Sequence, residues 1–430
     1  MKNIKSIHQK LKKIDKKLYI VGGFCREKIL RKPNSGDIDL VTDVTPDEMK
    51  KVLKIAGEIG KKYGTCIVSE GGESFELTTF RKDIGSINFR KPAEVEFTDS
   101  LEEDSQRRDF TCNAIYFDVE TEEFIDFHSG IEDVQQKIIR FVGNPRERIH
   151  EDALRILRCI RFKNKYNFQF ASPEYIEIFQ ENIEILKNIS MERIKQELDK
   201  ILTNPNNVQA LEDLKQIGFL KIFLPELDRL DQFGGNKHHL EGDIWIHTKM
   251  CVQEMNQIIL REKITGERKL LLLWSILLHD IGKGPTYSVG KDGESHYYNH
   301  ENVGAEMFKN NLAKRLLFPK NFEKEIYFLI REHLRLFMIP KMKKLKSRKL
   351  MMHEYFPDLI LLGEADNKGR IPAKLDYFEE IASIYKDFQK LLETKTFFTG
   401  KDVLEKFPDL EGKKIGEKLE QWNNRVLLED

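Results

Sequence analysis

The sequence predicts an α+β protein, with a head of mixed strands and helices followed by a long all-helical body. Three observations carry this. Strand-like runs crowd into the first 140 residues, at 18–21, 38–42, 65–68, 75–80, 94–97, 114–118 and 124–126. From Arg146 onward apolar residues recur at helical spacing, as in Ile156 with Ile160, Ile183 with Leu186, and the run Met191–Leu202. The chain has 430 residues, more than one hydrophobic core organises, so two to four domains are expected.

Taken in order, Ile4, Ile7, Leu11 and Ile14 mark one face of an amphipathic N-terminal helix, without the apolar stretch of a signal segment. Residues 18–21 read as a short buried strand, and 46–60 read as a helix that Pro46 opens. Asn204-Pro205, Phe233-Gly234-Gly235 and Pro340 are expected joints in the helical part. The longest apolar run, residues 270–278, is too short to span a bilayer, so no membrane partner is expected. Five cysteines without Cys-x-x-Cys spacing suggest reduced thiols and a soluble, cytoplasmic protein. Lysines plus arginines equal aspartates plus glutamates at 71 each, so any nucleic-acid surface must come from local basic patches.

The first chemical signal is Gly22-Gly23-x-x-Arg26 followed by Asp37-x-Asp39. Glycines without Cβ atoms let backbone N–H groups approach a triphosphate. Two aspartates two apart in a strand share one face, where hard oxygen donors suit a pair of Mg²⁺ ions and phosphoryl transfer. Glu76, in a later strand, is a candidate third carboxylate. Arg107-Arg108-Asp109-Phe110-Thr111-x-Asn113 offers guanidinium groups for phosphate, and an aspartate able to accept from a ribose hydroxyl. In Glu151-Asp152-x-x-Arg155-x-x-Arg158, Asp152, Arg155 and Arg158 would share one face of a helix. An acceptor beside a donor matches the edge that cytosine and adenine have in common, an amine next to a ring nitrogen. Uracil and guanine present the reverse and are repelled. Residues 140–165 carry eight basic and three acidic side chains, a footprint for phosphates or RNA.

These motifs, together with Thr79-Phe80-Arg81 and Leu224-Pro225-Glu226-Leu227, make the chain resemble the bacterial class II tRNA nucleotidyltransferases, the CCA-adding enzyme and poly(A) polymerase family. The resemblance implies a polymerase-β-like nucleotidyltransferase head over residues 1–140 and a helical neck and RNA-binding body over 141–230. It further implies a helical domain over 231–370, a tail over 371–430, and two-metal, Mg²⁺-dependent addition of C, C and A from CTP and ATP to tRNA. By this likeness Asp37 and Asp39 hold the metals, and Gly22, Gly23 and Arg26 hold the triphosphate. Arg108, Asp109, Asp152, Arg155 and Arg158 complete the nucleotide site, with Asp152 and Arg155 reading the base. The sequence departs from the family pattern at Glu27, where Asp is usual. It also departs at Ser86 and Asn88, in a segment (83–92) that corresponds to a loop switching specificity from C to A. Arg31-Lys32-Pro33-Asn34 lacks the basic-basic-Phe pattern of dedicated poly(A) polymerases. Full CCA addition, CC-only addition, A-only addition and poly(A) synthesis stay open as alternatives.

A second constellation lies in the helical half: His247, His279-Asp280, His300, His333 and Asp366. Imidazoles and carboxylates on helices make a mixed nitrogen/oxygen site for a divalent ion. The ordered set resembles the HD phosphohydrolase superfamily, which implies a bound divalent metal of unspecified identity and phosphatase or cyclic phosphodiesterase chemistry. Beside Asp366, Lys368 and Arg370 would also fit an RNA-facing turn. The run 340–349 holds six cations and no acid, suited to a tRNA backbone. The competing reading is an HD phosphohydrolase whose head merely binds nucleotide or RNA.

Overall fold

In the computed structural model the described residues are 1–33, 36, 38–57, 63–85, 89, 93–234, 240–291, 293–373 and 375–429. They divide into two units, Met1–Ile222 and Phe223–Asp430.

Among the described residues the first unit holds eleven strands: β1 (Leu18–Val21), β2 (Asp39–Thr42), β3 (Ile55–Gly57), β4 (Thr65–Glu70), β5 (Glu73–Thr79), β6 (Arg81–Ile84), β7 (Glu94–Phe97), β8 (Ile115–Asp118), β9 (Phe124–Asp126) and a short parallel pair, β10 (Ile138–Ile139) with β11 (Gln169–Phe170). Seven form one sheet in the order β3-β4-β5-β2-β1-β8-β9, and β6 pairs with β7 alone. The sheet is mixed, because β2 runs parallel to β5 while β1 is antiparallel to both β2 and β8. One face buries Tyr19, Val21, Val41, Phe80 and Tyr116, with Leu101 and Ile125 packed against them. β1 is buried on both faces, and in β2 the exposed position is Asp39 at its start. The N-terminal helix Lys2–Lys12 buries Ile4, Ile7 and Leu11. Ile14 falls beyond the helix end and is exposed.

The helix expected over 46–60 is shorter. It starts with Pro46 and a Thr45/Glu48 capping box, and stops at Val52, where Leu53 turns extended at φ −122°. Ile55 then pairs with Val68, and the Lys54 carbonyl accepts from the Ser69 N–H at 2.9 Å. Ladder bonding to β4 overrides the helical period of the sequence.

Beyond these strands the first unit is helical. Helices Arg155–Tyr166, Met191–Leu202 and Asn207–Gln216 pack on one another, burying Ile156, Ile160, Ile194, Leu198 and Leu214.

The second unit is almost wholly helical. Leu271 to Leu278 of helix Gly266–Leu278 are all buried, which explains the apolar run, broken by Ser275, whose Oγ donates to the Leu271 carbonyl at 2.9 Å. Around it lie helices Ile244–Arg261, His300–Met307, Lys320–Leu336 and Phe356–Lys368. No helix among the described residues is long and apolar enough to cross a membrane. All five cysteines are buried and unbridged.

Candidate nucleotide and metal sites

The two halves of the first motif meet in the sheet. Val21 is the register partner of Asp39. Gly22 follows at φ +76°, a backbone that side chains rarely adopt, and a Cβ there would sit 3.5 Å from Asp39 Oδ2. The turn after β1 therefore runs directly over this carboxylate. Leu40 pairs with Leu77 and Val41 with Thr78, so one further register step sets Glu76, exposed on β5, opposite Asp39 on the same face. Oxygen donors alone at an open strand end fit Mg²⁺. Asp37, Ser86 and Asn88 lie outside the described residues.

Arg26 is buried beside this turn. Its Nη2 donates to Tyr166 Oη at 2.8 Å, its Nη1 donates to Asn113 Oδ1, and its Cζ lies 4.4 Å from the Tyr166 ring centroid. Its Nε is buried without a hydrogen-bond partner. Glu27, at the position where the likeness departs, accepts from Tyr166 Oη at 3.2 Å. Residues 26 and 27 thus tie the glycine turn to helix Arg155–Tyr166.

Arg108 points into the structure, donating to Tyr116 Oη at 2.8 Å and to Asp104 Oδ2 at 3.0 Å. Asp104 is fully buried. Burial pushes its carboxyl up, but the Arg108 and Arg107 guanidinium groups overcome this and bring it down to about 2. Asp109 accepts from Arg158 Nε at 2.8 Å, Asn113 Nδ2 at 2.9 Å and the Phe110 N–H at 2.8 Å. Burial opposes its charge, yet Arg158 holds it well below the usual carboxylate range. Arg108, Asp109 and Arg158 are therefore knit into ion pairs that fix the wall between sheet and helix.

The single helix expected through Asp152, Arg155 and Arg158 is two helices. Pro145–Glu151 ends at Asp152, which is extended at φ −146° and ψ 104°, and Arg155–Tyr166 begins three residues later. The cause is the Ala153 N–H, which donates to the Phe89 carbonyl at 2.9 Å instead of continuing the helix. Ala153 and Leu154 are both buried by the turn. Asp152 Oδ1 accepts from the Leu154 N–H at 3.2 Å, and Oδ2 accepts from Arg193 Nη2 at 3.0 Å. Arg155 donates to Glu151 Oε2 at 2.8 Å, to the Arg148 carbonyl at 2.9 Å and to the Arg107 carbonyl at 3.1 Å.

Asp152 and Arg155 nonetheless line one cavity of about 1000 Å³, together with Arg81, Arg107 and Arg148. That is room for a nucleotide. Burial, reinforced by the like charge of Arg155, pulls Arg148 down to about 10, and its Nε is buried without a hydrogen-bond partner. Cations held against one another in a cavity favour an anion there.

In the second unit four histidines converge. His279, His300 and His333 each anchor Nδ1 on a backbone carbonyl, of Ile276 at 2.7 Å, Tyr297 at 2.7 Å and Ile330 at 2.6 Å. His247 Nδ1 lies 3.1 Å from the Gly369 carbonyl and 2.9 Å from Glu241 Oε1. Anchoring Nδ1 turns Nε2 inward, the orientation a metal ligand needs. Asp366 Oδ1 lies 3.2 Å from His247 Nε2 and 3.6 Å from His279 Nε2. Asp280 stands in the middle, with Oδ2 3.2 Å from His279 Nε2 and Oδ1 3.2 Å from His300 Nε2. His279 Nε2 is buried without a hydrogen-bond partner, as a metal donor awaiting an ion is. All six residues expected from the sequence are thus together, and a divalent ion fits their donor set. A cavity of about 340 Å³ opens on Asp280, His300, His333 and Asp366, lined also by Lys283, His296, Tyr298 and Arg370. Lys283 Nζ lies 2.6 Å from Asp280 Oδ2. The turn approaches the His300–Met307 helix because Gly282 has no Cβ, which would meet the His300 carbonyl at 2.1 Å.

Sequence reasoning missed Arg193, Arg148, Glu241 and Lys283. Lys283 had a local signal, three residues after Asp280, whereas Arg193 is 41 residues from Asp152 and had none. Part of the basic run serves the tail: Arg348 Nη1 donates to the Leu427 carbonyl at 2.7 Å, and Lys349 Nζ lies 2.7 Å from Glu420 Oε1. Lys368 is likewise paired, with Glu364 at 2.7 Å.

Three sequence families match the chain: "Poly A polymerase head domain" over residues 18–140, "Probable RNA and SrmB- binding site of polymerase A" over 170–230, and "HD domain" over 244–380. A CCA-adding enzyme of Bacillus licheniformis is 40% identical over 220 residues, which are 51% of this chain and 54% of that protein. A CCA-adding enzyme of Bacillus cereus is 34% identical over 286 residues, 64% of this chain and 71% of that protein. The first of these matches therefore spans little more than half the length of its curated relative. Among solved structures, the Bacillus stearothermophilus CCA-adding enzyme in complex with CTP has the same fold, with a TM-score of 0.71 at 23% identity, covering 99% of this chain and 92% of that one.

Proposed function

The chain belongs to the CCA-adding enzyme family, and from that premise we propose that it adds CMP and AMP to tRNA 3′ ends without a nucleic-acid template, releasing pyrophosphate. The observation that carries the reading is the pairing of Asp152 and Arg155 along one cavity of about 1000 Å³. Asp152 accepts from the exocyclic amine of cytosine or adenine, and Arg155 donates to the adjacent ring nitrogen. Uracil and guanine would set a carbonyl against the carboxylate and lose both bonds. Arg193 and the Leu154 N–H hold Asp152 in its acceptor orientation, and the Arg107 carbonyl helps fix Arg155.

In this reading Asp37 and Asp39 hold two Mg²⁺ ions, which supply Lewis acidity to the primer 3′-hydroxyl and to the leaving pyrophosphate. The bare Gly22-Gly23 backbone lets the triphosphate approach Asp39, and Arg26 adds a positive charge beside that turn. Arg108, Asp109 and Arg158 keep the wall of the nucleotide site in place through their ion pairs. Glu76 is the third carboxylate. The reaction is assigned to the cytoplasm, which the five unbridged cysteines support.

The HD group is read as a divalent-metal phosphohydrolase centre formed by His247, His279, Asp280, His300, His333 and Asp366. Lys283 and Arg370 line the adjoining cavity and would bind a phosphoester there.

Two double substitutions test the assignment. Asp37→Ala with Asp39→Ala should abolish nucleotide incorporation and spare phosphatase activity. His279→Ala with Asp280→Ala should do the reverse. If the aspartate double variant still extends RNA, the reading of the head fails.

A further inference from the structure

Cys251 sits one helical turn after His247, on the same face of helix Ile244–Arg261. Its Sγ is 3.4 Å from His247 Nε2. The ligand atoms of His247, Cys251, His279 and Asp366 all lie within 4.8 Å of one another. Donors bound to one metal at about 2.0–2.3 Å are roughly 3.3–3.7 Å apart in a tetrahedron. The spacings of His247 Nε2 to Cys251 Sγ at 3.4 Å, His247 Nε2 to Asp366 Oδ1 at 3.2 Å and His279 Nε2 to Asp366 Oδ1 at 3.6 Å fall at or close to that range. His279 Nε2, fully buried and without a hydrogen-bond partner, aims into the same space.

Gly369 packs directly on Cys251, since a Cβ there would come 2.4 Å from Sγ and 2.7 Å from the Cys251 backbone nitrogen, and the same glycine supplies the carbonyl against His247 Nδ1. A cysteine that only fills space needs apolar neighbours. Here the nearest groups include an imidazole and, at 3.9 Å, the Asp366 carbonyl. Cys25, in the head, differs: its thiol donates to the Ile20 carbonyl at 3.4 Å.

We propose that Cys251 is a sulfur ligand of the HD centre, so that the group His247, Cys251, His279 and Asp366 takes a thiophilic divalent ion such as Zn²⁺ in preference to Mg²⁺. The inference rests on the reading of the HD group as a metal centre. A thiolate is a soft donor, and in company with two imidazoles and one carboxylate it favours zinc or cobalt over ions that bind oxygen alone. Asp280, His300 and His333 form the adjoining, sulfur-free part of the same centre, joined to it by the 3.2 Å spacing of Asp280 Oδ2 to His279 Nε2.

The test uses the full-length protein, freed of metal and loaded with Co²⁺. The expected result is a near-ultraviolet sulfur-to-cobalt charge-transfer band in the unmodified protein. Cys251→Ser should lose that band and weaken Zn²⁺ binding at least tenfold. Zinc-edge X-ray absorption of the unmodified protein should show sulfur at about 2.3 Å, a readout that does not depend on any variant folding. Cobalt bound in a His279-dependent way without the band overturns the sulfur ligand and leaves the metal centre standing. If His279→Ala holds as much cobalt as the unmodified protein, the metal centre itself is wrong and the sulfur ligand falls with it.

Discussion

Arg193 reaches across 41 residues to donate from Nη2 to Asp152 Oδ2 at 3.0 Å. The residue proposed to read the base is therefore oriented by a helix that supplies no other part of its turn. Charged hydrogen bonds of this kind contribute about 1.5–3 kcal/mol. Arg193→Ala should lower the preference for CTP over UTP about tenfold or more, a ratio equivalent to about 1.4 kcal/mol. Arg193→Lys should restore part of it. Steady-state incorporation with each nucleotide checks this. Equal loss with every nucleotide would mean that Arg193 supports the fold and not the selection.

Gly22 offers a second test. At φ +76° a side chain carries strain of about 1–3 kcal/mol, and its Cβ would stand 3.5 Å from Asp39 Oδ2. Gly22→Val should cut nucleotide incorporation more than tenfold while lowering the thermal midpoint only modestly. Thermal unfolding and primer extension on the same preparation separate the two effects.

Asp104 contributes to acid stability. Its folded carboxyl lies at about 2, below the unfolded value of about 3.9. The contribution is therefore fully present above the unfolded value and is lost as pH falls through that window toward 2. Asp104→Asn leaves the Arg107 and Arg108 guanidinium groups without their buried counter-charge and should cost about 3–5 kcal/mol at neutral pH. The gap between variant and parent, measured by urea unfolding, should narrow as the pH is lowered.

Metal removal should register in stability as well. The HD donors are packed with no other buried positive partner than Lys283 beside Asp280, among the described residues. An ion at a thousand times its dissociation constant stabilises by about 4 kcal/mol. Exhaustive chelation should lower the melting midpoint of the parent, and His279→Ala protein should show no such shift.

Most of the head strands and the gathering of His247, His279, Asp280, His300, His333 and Asp366 were legible in the sequence, the strands from local pattern and the group from its order along the chain. A continuous apolar run marks β1, a short strand-like run marks β2 and alternation marks β5, while the ordered set of His247, His279-Asp280, His300, His333 and Asp366 marks the group in the helical half. Asp366 was also readable from order alone, and it does join His247. The break at Asp152 was not. The spacing of Asp152, Arg155 and Arg158 satisfies a helix, and only the Phe89 carbonyl, 64 residues from the Ala153 N–H by sequence number, interrupts it. β3 was hidden for the same reason, since a long-range partner outweighed local periodicity. Arg108 illustrates a third limit: a guanidinium in a phosphate-binding pattern is equally suited to a buried carboxylate, and Asp104 is there.

The reading of the head stands or falls on nucleotide addition to defined tRNA ends. Three transcripts, one lacking the terminal CCA, one ending in C and one ending in CC, are each offered CTP, ATP, UTP and GTP separately. The expected result is CMP on the first two, AMP on the third, and no product with UTP or GTP. No extension at all, or extension with UTP and GTP as readily as with CTP and ATP, would contradict it.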